Sequence, residues 1–148
     1  MTILSHPTSP ASTSAVTFDQ MLEKVRYEGA YPTRRQAEGV MRRVLEALGR
    51  QLTGVERVEL AARLPREAAA AALIASQIPA TRPLTGWGFV KDLSERTGGT
   101  PATVRWDTGA VLGVVARIAG DDLVTRIIRQ LPDGYALLFG RAQLARAA

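Results

Sequence analysis

Residues 53–73 read TGVERVELAARLPREAAAAAL. This stretch contains a helix start at Thr53, an abrupt corner at Leu64–Pro65 and the opening of a second helix. A proline disfavours the α-helical conformation of the residue before it, whereas its missing N–H is tolerated in the first turn of a helix. One helix is therefore predicted to end at this corner and the next to begin there. The same construction returns in residues 120–139, GDDLVTRIIRQLPDGYALLF, with its corner at Leu131–Pro132.

Two further helices are predicted ahead of the first corner. Thr17 has the character of an N-cap, and the apolar residues behind it recur at helical spacing. Thr33 begins the next helix with Gln36 at the distance of a capping box, and Thr53 and Glu56 form a second pair of this kind. The long helix after Thr33 has a continuous apolar stripe, made of Ala37, Val40, Met41, Val44, Leu45, Leu48 and Leu52. The first unit is therefore predicted to have four helices.

The four-helix plan recurs after a linker that contains two prolines. Thr100 is predicted to cap a long helix that opens with Pro101, and Pro132 is predicted to open a final one. One offset of 67 residues aligns the two halves, pairing Thr33 with Thr100, Val44 with Val111, Leu45 with Leu112, Leu48 with Val115, Leu60 with Ile127, Leu64 with Leu131 and Pro65 with Pro132. Chance periodicity would not keep caps, core positions and corners in a single register, so we expect an internal duplication.

The predicted fold is all-α, with two tandem four-helix repeats packed as one compact domain. Residues 1–16 lack Asp, Glu, Lys and Arg and are rich in Ser, Thr, Pro and Ala, so we expect a disordered tail. The remaining predicted segments are helical repeat 1 at 17–78, a linker at 79–85, helical repeat 2 at 86–142 and a frayed C-terminus at 143–148.

The composition excludes several kinds of chemistry. The chain has no cysteine and a single histidine, His6, which lies in the predicted tail. Thiolate metal sites, Cys/His pairs and Ser/His/Asp triads are therefore not expected. We expect no enzyme activity, no cofactor and no metal. Asp121–Asp122 are interpreted as a helix start, and Gly98–Gly99 as a plain turn. No run of 18 apolar residues exists, so we expect no membrane span and a cytoplasmic protein.

The paired corners also carry a family resemblance. Segments FDQMLEKV at 18–25, RRQAEGVMRRVLEALGRQL at 34–52, ELAARLP at 59–65 and RIIRQLP at 126–132 resemble the uncharacterised bacterial family known as domain of unknown function 2267. The resemblance covers roughly residues 17–140. It implies an all-helical bacterial cytoplasmic protein, and it brings no activity, cofactor or catalytic residue.

The two halves disagree most on the long helix of the second one. Trp106, Ala110, Gly113 and Arg117 recur there on the side away from the apolar stripe, and we name these four residues the Trp106 surface. Their counterparts at the 67-residue offset form a charged set, Gly39, Arg43, Glu46 and Arg50. Either repeat 1 or the C-terminal helix packs on this surface inside the monomer, or the surface is exposed and binds a partner. The other tryptophan, Trp87, is expected in the core.

Three functional hypotheses stay open at this point. The first is a non-enzymatic protein that acts by protein–protein contact or self-association through the Trp106 surface. The second is a nucleic-acid-binding module, because the chain has a net charge of +5 and its first long helix is rich in arginine. The candidate contacts are Arg34, Arg35, Arg42, Arg43 and Arg50. The third is a carrier of a small ligand in a pocket between the repeats.

Overall fold

The computed structural model describes residues 15–75 and 83–141, and within these ranges it contains eight α-helices and no strand. The helices are α1 (Phe18–Gly29), α2 (Arg34–Gln51), α3 (Gly54–Arg63), α4 (Arg66–Ala75), α5 (Gly86–Thr97), α6 (Pro101–Ala119), α7 (Asp121–Gln130) and α8 (Tyr135–Leu138). The all-α prediction is therefore confirmed. In this part of the chain, no helix is both long and apolar enough to cross a membrane.

In the first half, two of the predicted threonine caps are present as hydrogen bonds, and a third is not. The Thr17 hydroxyl accepts from the Gln20 N–H, and the Gln20 side chain accepts from the Thr17 N–H, which completes a capping box. The Thr33 hydroxyl accepts from the Gln36 N–H. Only half of the capping box predicted there forms, because the Gln36 side-chain oxygen accepts from the Thr33 hydroxyl, at 3.2 Å, and not from the Thr33 N–H. Thr53 precedes α3 without any side-chain cap hydrogen bond.

The predicted capping box of Thr53 with Glu56 is therefore wrong. The Thr53 N–H donates instead to the side-chain oxygen of Gln130 from the second half, at 3.1 Å. Glu56 accepts from the Gln130 amide at 3.0 Å. A tertiary contact has replaced the local one, because both groups that would have formed the box are bound across the interface.

The helix breaks at both Leu–Pro corners are confirmed. Leu64 and Leu131 have extended backbones, and each ends its helix immediately before the proline. The two corners differ in where the next helix starts. Helix α4 begins at Arg66, directly after Pro65, whereas α8 begins three residues after Pro132.

The last predicted helix is therefore wrong in its start and in its length. Gly134 has φ +105°, a left-handed conformation that interrupts any helix from Pro132, and α8 has only four residues. Gly140 has φ +83°, a left-handed backbone conformation that interrupts a helix. Arg141 is therefore not helical, although helical repeat 2 was predicted to reach residue 142. The predicted frayed end at 143–148 lies outside the described residues, as do residues 1–14 of the predicted tail and 79–82 of the predicted linker. Val16, also assigned to the tail, packs against the core.

The two long helices, α2 and α6, form the centre of the molecule. Their apolar stripes are buried in one core that both halves share. Helix α2 packs most closely on α4, where a Cβ added to Gly49 would lie 2.0 Å from the Ala72 carbonyl oxygen. This contact needs a glycine at position 49, because a side chain there would meet the backbone of α4. The alanine run of α4 adds little side-chain bulk to the same contact.

Candidate functional site

Helices α3 and α7 join the two halves through an arginine–carboxylate pair. Arg126 donates two hydrogen bonds to Glu59, at 2.6 Å and 2.9 Å, and also lies 3.5 Å from Glu56. The hydrogen bonds from Arg126 hold the pKa of Glu59 below its usual range. Glu59 and Arg126 are 67 residues apart, so equivalent positions of the two predicted repeats contact each other.

Two further contacts join the halves and involve donors that are counterparts under the same offset. The Gln130 amide donates to the carbonyl oxygen of Thr53, and Arg63 donates to that of Ala119. Gln130 is the predicted counterpart of Arg63, whereas Ala119 lies one residue before the counterpart of Thr53, which is Gly120.

The C-terminal end of α1 is tied to α6 at three points. The indole N–H of Trp106 donates to the carbonyl oxygen of Gly29 at 3.0 Å. The Tyr31 hydroxyl donates to Asp107 at 2.5 Å. Arg117 lies 3.3 Å from Glu28. Two effects raise the pKa of Tyr31 well above its usual range: burial, which is the larger, and the hydrogen bond to Asp107. This tyrosine therefore remains a hydrogen-bond donor at neutral pH.

The Trp106 surface is only partly covered by this contact. Trp106 is 57% exposed and Arg117 is exposed, while Ala110 and Gly113 are partly buried. A Cβ added to Gly113 would have no atom within 4 Å, so nothing packs there. Helix α1 touches the edge of the surface and leaves its middle open.

A shallow cleft lies beside the exposed indole. It has a volume of about 290 Å³ and is lined by Glu28, Arg105, Trp106, Gly109 and Ala110. Among the described residues, Arg105 forms no ion pair. The sequence pattern did not single out Arg105, although it adjoins Trp106.

The other tryptophan does not lie where it was expected. Trp87 is 62% exposed, so its predicted place in the core is wrong. Helix α5 buries Phe89, Val90 and Leu93, and this choice of face turns Trp87 toward solvent.

A larger cleft opens where α5 meets α2. Helix α5 packs along α6 but only lightly on α2, which leaves a volume of about 400 Å³ between the three helices. The apolar side chains of this cleft are Val40, Val44, Leu93 and Val104, and its charged ones are Arg43, Arg96 and Asp107. A pocket between the halves was one of the three hypotheses, and the sequence assigned no residues to it. At the 67-residue offset, Arg43 occupies the position that Ala110 has in the second half. This difference was the signal in the sequence that could have pointed to the cleft.

The five arginines predicted as nucleic-acid contacts do not form one free basic face. Arg34 is paired with Asp19 at 2.9 Å and with Glu23 at 3.4 Å, and Arg42 is paired with Glu38 at 2.8 Å. Within the described residues, Arg35, Arg43 and Arg50 have no ion pair, and Arg43 lines the larger cleft. Carboxylates therefore neutralise part of the predicted face.

The glycine turn and the acidic pair both lie at helix ends. In the described part of the chain, no group of three or more His, Asp or Glu side chains could hold a metal ion. Asp121 lies at the start of α7, and its carboxylate is 3.6 Å from Arg141. Gly98 is the left-handed cap that ends α5.

Comparison with known proteins identifies the family. The sequence profile of the family described as an uncharacterized conserved protein (DUF2267) matches residues 18–138. This match confirms the resemblance carried by the helical segments and the paired corners. None of the curated proteins compared with the chain matches it.

Proposed function

The chain belongs to the DUF2267 family, and we propose that it acts as a protein-binding module whose docking surface is the Trp106 surface. One observation carries this proposal. The Trp106 ring is held by a hydrogen bond to Gly29, yet it is 57% exposed. An aromatic ring that is already fixed loses little conformational entropy on binding, which is a property of interface hot spots.

The residues around the indole suit a close contact. Ala110 and Gly113 follow Trp106 along one side of α6, and the adjoining cleft of about 290 Å³ includes Gly109. Small side chains leave the helix backbone accessible to a partner. An apolar side chain of a partner can enter the cleft and pack on the indole.

Charge favours an acidic segment of another protein as the occupant. Arg105 lines the cleft and has no ion pair among the described residues, whereas Glu28 on the opposite wall is paired with Arg117. The accessible charge at the cleft is therefore positive. A second copy of the chain would bring its own net charge of +5 to the interface, and like charges oppose association. An acidic segment with one large apolar side chain meets both requirements.

Selection from a phage-displayed library of random peptides tests this proposal. We expect enrichment of peptides that combine Asp or Glu with an aromatic or large aliphatic residue. Their affinity should fall at least about tenfold in Trp106→Ala, because the aromatic contact is lost. Arg105→Glu should weaken the same peptides through charge reversal.

Trp87→Ala is the matched control, because Trp87 is an equally exposed tryptophan outside the Trp106 surface. It should bind the selected peptides like the wild type. Equal binding by Trp106→Ala, or selection of peptides without acidic residues, would refute the proposal. If sedimentation equilibrium shows a concentration-dependent dimer that Trp106→Ala abolishes, the partner is a second copy of the chain and not an acidic segment of another protein.

The nucleic-acid hypothesis receives no comparable support. Nucleic-acid binding would use a face on which Arg34 and Arg42 are already paired with carboxylates. Non-enzymatic action, bacterial origin and a cytoplasmic location stay predictions.

A further inference from the structure

We propose that the larger cleft, between α2, α5 and α6, binds a free α-amino acid with a short aliphatic side chain. This site is separate from the Trp106 surface and does not depend on the protein-binding function. Its volume of about 400 Å³ lies within the range of small-molecule pockets.

The apolar wall of the cleft sets the size of the ligand's side chain. Val40, Val44, Leu93 and Val104 come from all three helices and are between 1% and 7% exposed. Only narrow apolar edges therefore face the cleft. A branched chain of three or four carbons can cover these edges, whereas a long acyl chain would remain in water.

Of the two arginines that line the cleft, one is available to bind the carboxylate of a ligand. Arg96 is engaged by Asp92 at 2.8 Å. Arg43 forms no ion pair with any described residue, and its guanidinium can donate two parallel hydrogen bonds to a carboxylate.

Asp107 supplies the complementary anion. One of its oxygens accepts from Tyr31, and its carboxylate forms no ion pair within the described ranges. A purely anionic ligand would be repelled by this carboxylate, and a purely cationic ligand by Arg43. A zwitterion satisfies both groups, and an α-amino acid has its two charges and its side chain on one carbon.

Titrations followed by ¹H–¹⁵N spectra of the full chain test this site with four probes. Leucine has all three groups, 4-methylpentanoate lacks the ammonium, 3-methylbutylamine lacks the carboxylate, and glycine lacks the side chain. We expect saturable shifts around residues 40–44 and 104–107, with leucine the tightest of the four. No saturable shift with leucine, or equal affinity for glycine, overturns the proposal. Equal affinity for 4-methylpentanoate overturns its amino-acid part.

Two substitutions test which residue binds the carboxylate of the ligand and which binds its ammonium group. Arg43→Gln should weaken the binding of leucine and of 4-methylpentanoate about tenfold or more, since it removes a charged hydrogen-bond donor, and it should not weaken binding of the amine, which Arg43 repels. Asp107→Asn should weaken the binding of leucine and of the amine, and it should not weaken binding of 4-methylpentanoate, which Asp107 repels. Arg35→Gln, on the same helix and outside the cleft, should bind all four probes like the wild type. Unchanged leucine binding in Arg43→Gln overturns the site.

A third variant separates binding by Asp107 from its structural role. Tyr31→Phe removes the hydrogen bond to Asp107 but keeps the carboxylate, so leucine should still bind. If Tyr31→Phe and Asp107→Asn weaken leucine equally, Asp107 acts by holding α1 in place and its assignment to the ammonium group is wrong.

Discussion

Helix α1 packs more closely on α6 than α5 packs on α2, although the 67-residue offset predicts equivalent contacts. At the first, Trp106 bridges to the end of α1 across a surface that includes Ala110. At the second, the 67-residue offset puts Gly39 in place of Trp106 and Arg43 in place of Ala110. An indole that donates a hydrogen bond joins two helices, whereas a glycine beside a charged arginine leaves room between them. The side chains at two positions are enough to account for the difference.

Helices α1 and α5 are also anchored at opposite ends. The C-terminal end of α1 is held by side chains of α6. The N-terminal end of α5 is held by backbone contacts, because the Gly86 N–H donates to the Asp133 carbonyl at 2.7 Å and Gly134 lies against it. The anchored end of α5 lies away from the larger cleft, which is lined by Leu93, Arg96 and Thr97 near the other end of the helix.

The largest effect is expected where α5 is anchored. A Cβ at Gly86 would lie 2.6 Å from the Gly134 carbonyl carbon. Gly86→Val should therefore force the two backbones apart and lower the free energy of unfolding by about 3 kcal/mol, which urea denaturation measures. Gly39→Ala is the control, because its Cβ would meet only the flexible end of Arg43. Equal losses in both variants would show that α5 is not held by this contact.

Loss of the indole should have the next largest effect. Trp106→Ala removes the half-buried ring and the hydrogen bond to Gly29, and should cost about 2 kcal/mol. Trp106→Phe keeps a ring and should cost about 1 kcal/mol. Hydrogen exchange at the C-terminal end of α1 should increase in both variants. Unchanged exchange there would mean that Trp106 does not close this contact.

Tyr31→Phe tests the neighbouring hydrogen bond and should cost about 1 kcal/mol at neutral pH. Because the pKa of Tyr31 is raised in the folded state, its contribution is complete below the unfolded-state pKa of 10.0. It is lost as the pH rises through the folded-state pKa. The difference between wild type and variant should therefore shrink above pH 10.0, as measured by denaturation across the alkaline range.

Tyr27→Phe provides the comparison for Tyr31→Phe, because Tyr27 is 78% exposed. This variant should match the wild type in stability. If Tyr31→Phe also leaves the free energy of unfolding unchanged, the hydrogen bond to Asp107 adds nothing to the stability of the α1 contact.

The smallest effect is expected at the middle of the Trp106 surface. Gly113 lies inside α6, and an added Cβ would meet open space. Gly113→Ala should raise the free energy of unfolding by about 0.5–1 kcal/mol through helix propensity alone. Thermal denaturation measures this gain. A loss of stability would mean that α1 or another element packs on this surface more closely than the structure shows.

The sequence by itself determined the corners, the buried stripes and helices α1 to α7, but not the start of α8. These features depend on local rules, since a proline restricts the residue before it and an apolar stripe must be buried wherever the helix lies. The threonine caps of α1 and α2 could be predicted for the same reason. Thr53 could not, because Gln130 lies 77 residues away and local pattern does not contain that contact.

Only the tertiary structure decided which surfaces are open. Trp87 was expected in the core and Trp106 on the side of its helix away from the apolar stripe. Both are exposed, and Trp106 also donates a hydrogen bond to the end of α1. The larger cleft depends on the distance between α5 and α2, since α5 packs along α6 and only lightly on α2. Such distances depend on contacts between segments far apart in the chain. The residue pattern of one helix therefore could not reveal them.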